Sequence, residues 1–230
     1  MFPLLDLLLD DPLEFLQIML YRAPGILIAL VLHEWAHAYV AYRLGDPTAK
    51  MLGRLTVNPL KHFDPLGTFM LFFLGFGYAK PVPINPNYFK NKHRDDFFVS
   101  IAGITMNLLL YLFFITLYYL LWQNSVSIYY ANAFWQTVFP HLVNIIYIAA
   151  SINLSIALFN VLPIPPLDGF HIFNDLLIKG DLFVKQRIAQ YGMGILMLLS
   201  FTGLLGKFLG FFSDAILDGT FFVLDKIFGA

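Results

Sequence analysis

His33, Glu34 and His37 stand in a stretch, ILIALVLHEWAHAYVAYRLGD, that is otherwise apolar for two turns before them. Ionisable groups inside an apolar span are costly and mark functional sites. On a helix, residues four apart share a face. His33 and His37 can therefore turn imidazole nitrogens toward one ion while Glu34 reaches a water held beside it, the HExxH arrangement of metal-assisted hydrolysis. A catalytic zinc normally takes three protein ligands and keeps one position open, so a third ligand is required. The chain has no cysteine, which leaves His, Asp or Glu. The best candidate is Asp168, in the run FNVLPIPPLDG (159–169), with His171 one turn later as its rival. Pro163, Pro165 and Pro166 stop regular helix bonding there, and irregular backbone at membrane depth is tolerated where it is buried in protein or lines a water-filled cavity. Such ligands suit zinc, one ion per chain; iron, cobalt or manganese would accept the same set.

The elements that must position these residues follow from composition. Of 230 residues, 59% are hydrophobic and 13% charged, with a mean hydropathy of +0.70. That is too little polar surface to wrap a soluble globule, so the chain is expected in a membrane. The net charge of −1 sets aside a nucleic-acid binder, a disordered protein and a calcium buffer. Crossing a bilayer as a helix takes roughly 20 mainly apolar residues. Four windows qualify, about 23–44, 97–122, 138–162 and 188–212. The expected fold is an all-α polytopic membrane protein of about four to six transmembrane helices, with a small re-entrant or β element between the first two firm spans. That element is read at 66–79, where Gly67, Gly75 and Gly77 weaken a helix, and in short extended pieces at 53–57 and 76–84, where Pro81 and Pro83 exclude one. A single domain is expected over 1–230, with its core at 23–175. Residues 1–20 read as an interfacial or partly inserted helix without the features of a signal peptide, and 188–230 as C-terminal helices, of which 215–228 reads as interfacial.

Basic residues concentrate on the cytosolic side of membrane proteins. Eight of the 14 lie from Arg43 to Arg94 and three more are Lys179, Lys185 and Arg187, whereas 123–137 carries no charge. The loops 45–96 and 163–187 are thus expected in the cytosol, and 123–137 and the acidic N-terminus outside. The first and third spans then deliver His37 and Asp168 to the same membrane face.

These residues resemble the site-2 protease family of intramembrane zinc metalloproteases, in particular its short bacterial and archaeal members. HEWAHA is similar to the family's first motif and NVLPIPPLDG to its NxxPxPxLDG-type second; GYAKPVPINPNYFKN and Ala102-Gly103-Ile104-Thr105-Met106-Asn107 also resemble family segments. The likeness runs from about residue 25 to 175. It departs at Ile104, where the family often has proline, and leaves no room for a PDZ or CBS domain. The resemblance implies that His33, His37 and Asp168 bind zinc and that Glu34 is the general base. It further implies a transmembrane protein or peptide as substrate, cut in regulated intramembrane proteolysis or in clearance of remnant signal peptides, at a prokaryotic cell membrane.

Asn160, in the second motif, and Asn107, in the second span, are candidates to stabilise an oxyanion or hold substrate backbone; hydrogen bonding between helices is the plainer role for either. Asn58-Pro59 and Lys80-Pro81 read as turn formers or interfacial anchors. A helical substrate must unwind before its carbonyls can be reached, and an extended piece near 53–57 or 76–84 would offer an edge to hold the unwound strand. Two other classes use intramembrane His and Asp. A metal-ion transporter should show repeated halves or a ladder of ligands along its spans, and neither is evident. A non-catalytic scaffold with a structural zinc would have no use for Glu34.

Overall fold

The computed structural model describes residues 3–73, 79–178 and 182–229. A short helix α1 (Pro3–Asp10) leads into α2 (Pro12–Arg43), followed by three small helices, α3 (Thr48–Met51), α4 (Pro59–His62) and α5 (Pro65–Phe73). An irregular segment then leads to α6 (Lys92–Gln123), which a short α7 (Ser125–Tyr129) links to α8 (Ala133–Val161). Beyond it lie α9 (Asp168–Phe173), α10 (Leu182–Phe201) and α11 (Leu204–Phe228). Helices α2, α6 and α8 are each long and apolar enough to cross a membrane. They begin at side-chain caps: Asp11 accepts from the Leu13 and Glu14 amides ahead of Pro12, Asn91 from Arg94, and Asn132 from Trp135.

The three long helices pack on one another. Residues 33 and 37 of α2 meet residues 107 and 99 of α6, so those two run antiparallel, while α2 and α8 run side by side in the same direction through Tyr21–His141. Gly25 lets α2 and α8 touch: a Cβ there would stand 2.9 Å from the Ala149 Cα. A buried cluster of Tyr111, Ile115, Ala150 and Leu154 joins α6 to α8, and Ile216, Leu217 and Phe221 of α11 pack against it. Tyr111 donates to Thr220 and Tyr119 to Asp225, so α11 follows α6 in the same direction.

Several expectations are corrected. The fourth apolar window, 188–212, is a bent pair: α10 ends where Thr202 bonds back to the Leu198 and Leu199 carbonyls, Gly203 takes φ 72°, and α11 departs at 77°. The segment 215–228, expected at the interface, instead packs along α6. The N-terminal stretch divides at Asp11, so residues 12–20 are the opening turns of α2. Of the re-entrant or strand element expected at 66–79, the strand alternative fails in the described part: α5 is helical to Phe73, with the Asp64 side chain accepting the Gly67 amide. Residues 53–57 turn at Gly53, with φ 65°, and form no strand. Residues 79–85 take no regular secondary structure, with the Lys80 amide bonded to the His62 carbonyl, and no strand occurs among the described residues. Gly75, Gly77 and residues 76–78 of the other expected piece lie outside them.

Filling the Gly25 contact should force α2 from α8. Gly25→Val is expected to cost about 1–3 kcal/mol from overpacking, read as a lower melting temperature in detergent; an unchanged melt would show that the two helices do not depend on this approach.

Candidate metal and catalytic site

About two to three turns from the Gly25 contact, α2 presents His33 and His37 on the face it buries against α6. A side chain could not occupy that space on α6: a Cβ on Gly103 would lie 2.4 Å from His37 Nε2 and 2.6 Å from His33 Cε1. Gly103 therefore makes the seat for both imidazoles. Residues 99, 103 and 107 share one face of α6, and the outer two fix the rings. His37 Nδ1 lies 2.7 Å from the Val99 carbonyl oxygen and His33 Nδ1 lies 2.6 Å from Asn107 Oδ1. Both partners are acceptors, so each Nδ1 carries the hydrogen and each Nε2 is left as a lone pair.

Those lone pairs meet. The two Nε2 atoms are 3.0 Å apart, and Asp168 Oδ2 stands 3.2 Å from the first and 3.3 Å from the second. Asp168 is the first residue of α9, delivered there by the proline-broken 162–167 segment. Its neighbour Gly169 is compelled: a Cβ would fall 2.2 Å from the Val161 carbonyl oxygen. Asp168 Oδ2 is buried with no hydrogen-bond donor of its own. Four ligands at about 2.0–2.1 Å around a tetrahedral ion stand about 3.3 Å apart, so this triangle fits three corners of a zinc site. His33, His37 and Asp168 are the one such group among the described residues.

Glu34 is buried beside this triangle and held from the other side. Its Oε2 accepts the Val82 amide at 2.8 Å. Val82 belongs to the irregular strap 79–85, in which Pro81 and Pro83 have no N–H to give. Arg54 donates to the Lys80 and Pro81 carbonyl oxygens at 2.7 and 3.3 Å, and Asp46 accepts the Asn85 amide at 2.7 Å. Val82 and Ile84 pack on Ala38 and its neighbours, so apolar contact and two charged side chains press the strap onto α2.

The other anticipated residues are distributed differently. His171 faces away from the triangle, its Nδ1 3.2 Å from Asp96 Oδ2. Asn160 spends its amide on the Ile156 carbonyl one turn back. Asn107 sits behind His33. Sequence reasoning missed the seat at Gly103, the Val82–Glu34 contact, Arg54 and Asn153. The first had a visible signal, a glycine four residues before an asparagine on an apolar helix.

The profile of peptidase family M50 matches residues 21–203. The chain is 39% identical over 189 residues to YwhC of Bacillus subtilis, which bears the name of a zinc metalloprotease; the match covers 82% of this chain and 84% of that one. It is also 26% identical over 202 residues to Rip2 of Mycolicibacterium smegmatis, covering 85% and 72%, and 30% identical over 166 residues to Rip2 of Mycobacterium tuberculosis, covering 70% and 58%; both bear the same kind of name. No solved structure matches the chain.

Gly103→Ala separates seat from helix. Alanine favours the helix by about 1 kcal/mol over glycine, yet its methyl would displace both rings. Helical content by circular dichroism should hold while bound zinc per chain falls several-fold; full zinc would mean the rings do not need the gap.

Proposed function

The chain belongs to peptidase family M50, the intramembrane zinc metalloproteases, and from that premise we propose that His33, His37 and Asp168 hold its zinc while Glu34 is the general base. One observation carries the assignment: three ligand-type atoms from two distant segments face one another within 3.3 Å, with a glutamate beside them.

When bound, the ion supplies Lewis-acid polarisation of the scissile carbonyl and acidifies water. The remaining work belongs to the chain. Glu34 takes the proton of the attacking water and returns it to the departing amine nitrogen. The Val82 amide on Oε2 fixes the carboxylate's orientation, so little freedom is lost at the moment of transfer. Buried walls of α2 and α6 exclude bulk water around both imidazoles. Asn160 is assigned to the oxyanion or the substrate backbone, a role supported by its place in the last turn of α8, ahead of the proline-rich turns that lead to Asp168.

The substrate is a transmembrane segment of another protein, cut within or near the bilayer after local unwinding, in a signalling cascade or in removal of leftover signal peptides. The strap beside Glu34 supports binding of the unwound strand alongside it. The whole chain, 1–230, acts as one domain with its core at 23–175. It resides in the cell membrane with 45–96 and 163–187 in the cytosol, which puts the metal site toward the cytosolic face; the concentration of basic residues in those loops supports this orientation.

Glu34→Gln should retain about one zinc per chain and lose at least about 10²-fold in proteolysis of a single-span substrate, whereas Asp168→Ala should lose the metal. Activity retained in Glu34→Gln removes Glu34 from the mechanism, and full zinc in Asp168→Ala moves the third ligand elsewhere. A reporter fused near residue 130 should be exported, and cytosolic activity from that fusion would reverse the topology.

A further inference from the structure

Behind the metal triangle, on the Nδ1 side of His33, lies a chain of hydrogen bonds that crosses all three long helices. Asn107 and Asn153 are both fully buried, each with 0% exposure. An uncharged amide can be placed in either of two orientations, and here its neighbours decide. Asn153 Nδ2 donates to the Ala149 carbonyl at 2.8 Å, one turn back in α8. Its Oδ1 must then face Asn107, whose Nδ2 donates to it at 3.0 Å and to the Ala29 carbonyl of α2 at 3.3 Å. With both acceptors on that side, Asn107 turns Oδ1 toward His33, where it meets Nδ1 at 2.6 Å.

We propose that Asn153 is a positioning residue for the metal site: through Asn107 it selects the His33 tautomer that leaves Nε2 free to ligate. The inference rests on His33 being a ligand, as assigned above. The polarity of the relay begins at a helix carbonyl that no ligand can reorient and ends at the ring nitrogen opposite the metal. Without Asn153, the Asn107 amide keeps a single acceptor at 3.3 Å and its reversal becomes cheap. Reversed, its Nδ2 would point at His33 Nδ1, the ring hydrogen would move to Nε2, and a ligand would become a donor facing His37 and Asp168. Outer partners of a metal-ligating histidine are worth about 10- to 100-fold in metal affinity. A bond that merely joined helices would carry no such linkage.

The test is zinc affinity of the full chain in detergent, by competition with a chromogenic chelator, for wild type and for Asn107→Ala, Asn153→Ala, the double variant and Asn153→Asp. Asn153→Ala should bind zinc about 10-fold more weakly, and the double variant no more weakly than Asn107→Ala alone, since the relay acts only through Asn107. Asn153→Asp should stay within about twofold of wild type: a neutral carboxylic acid accepts from Asn107 and donates to Ala149, and a carboxylate still accepts from Asn107. Nitrogen-15 spectra of histidine-labelled, metal-free protein, with the His33 signal assigned by its loss in His33→Ala, should show Nδ1–H in wild type and a growing Nε2–H population in Asn153→Ala. Unchanged affinity in Asn153→Ala, additive losses in the double variant, a tenfold loss in Asn153→Asp or an unmoved tautomer would each overturn the relay. Should Asn153→Ala fail to fold, the Asp variant and its spectrum still decide. Wild type that takes up no zinc at all would instead sink the ligand assignment on which the relay rests.

Discussion

Three electron pairs pointed at one another in a poorly solvated interior repel, and everything near His33, His37 and Asp168 serves to hold them there. Two imidazoles would relax this by turning a ring hydrogen inward. Turning a ring over to do so is opposed by the Val99 carbonyl and Asn107, each of which accepts a ring hydrogen on the far side. Asp168 would relax by swinging into water, but α9 starts at that residue and Gly169 is wedged against the Val161 carbonyl. A cation resolves the repulsion, and the fold supplies the cost of assembling the ligands before it arrives.

The same constraint explains why close helix contacts recur where they do. The rings need α6 within reach of α2, and Gly103 allows it; α8 must then come near enough for Asn153 to meet Asn107, and Gly25 against Ala149 allows that. The small residues are spacers that bring three helices to the separation the hydrogen bonds require. Tyr111 and Tyr119 extend this grip to α11, whose own face carries the partners Thr220 and Asp225.

What could be read from the sequence was what chemistry imposes locally. His33, Glu34 and His37 announce themselves because helical periodicity puts them on one face and because ionisable groups inside an apolar run are costly. Asp168 was legible because prolines broke the helix just before it, and structure brings it to the two histidines. The three long spans followed from length and hydropathy alone. The rest depended on what meets what. Asn153 acquires meaning only from Asn107, 46 positions away on another helix, and the glycine-to-asparagine spacing at Gly103 hints at a close approach without saying what fills it. The fourth span failed as a straight helix because hydropathy averages over Gly203, whose left-handed backbone turns the chain without changing the average. The strand alternative for the element between the first two spans failed for a related reason: Asp64-Pro65 starts a helix as firmly as Gly67 discourages one, and the cap prevailed.

The strap over Glu34 also bears on how a proteolytic site tolerates its own polypeptide. Three peptide bonds lie along Lys80-Pro81-Val82-Pro83, the stretch that meets Glu34. Two of them, Lys80–Pro81 and Val82–Pro83, are tertiary amides whose nitrogen belongs to a ring. The third, Pro81–Val82, has its oxygen engaged by Arg54 and its N–H by Glu34 itself. Its atoms are committed to holding shape, so the backbone bonded to Glu34, the proposed general base, is also backbone poorly disposed to hydrolysis, and self-preservation is written into the alternation of its prolines.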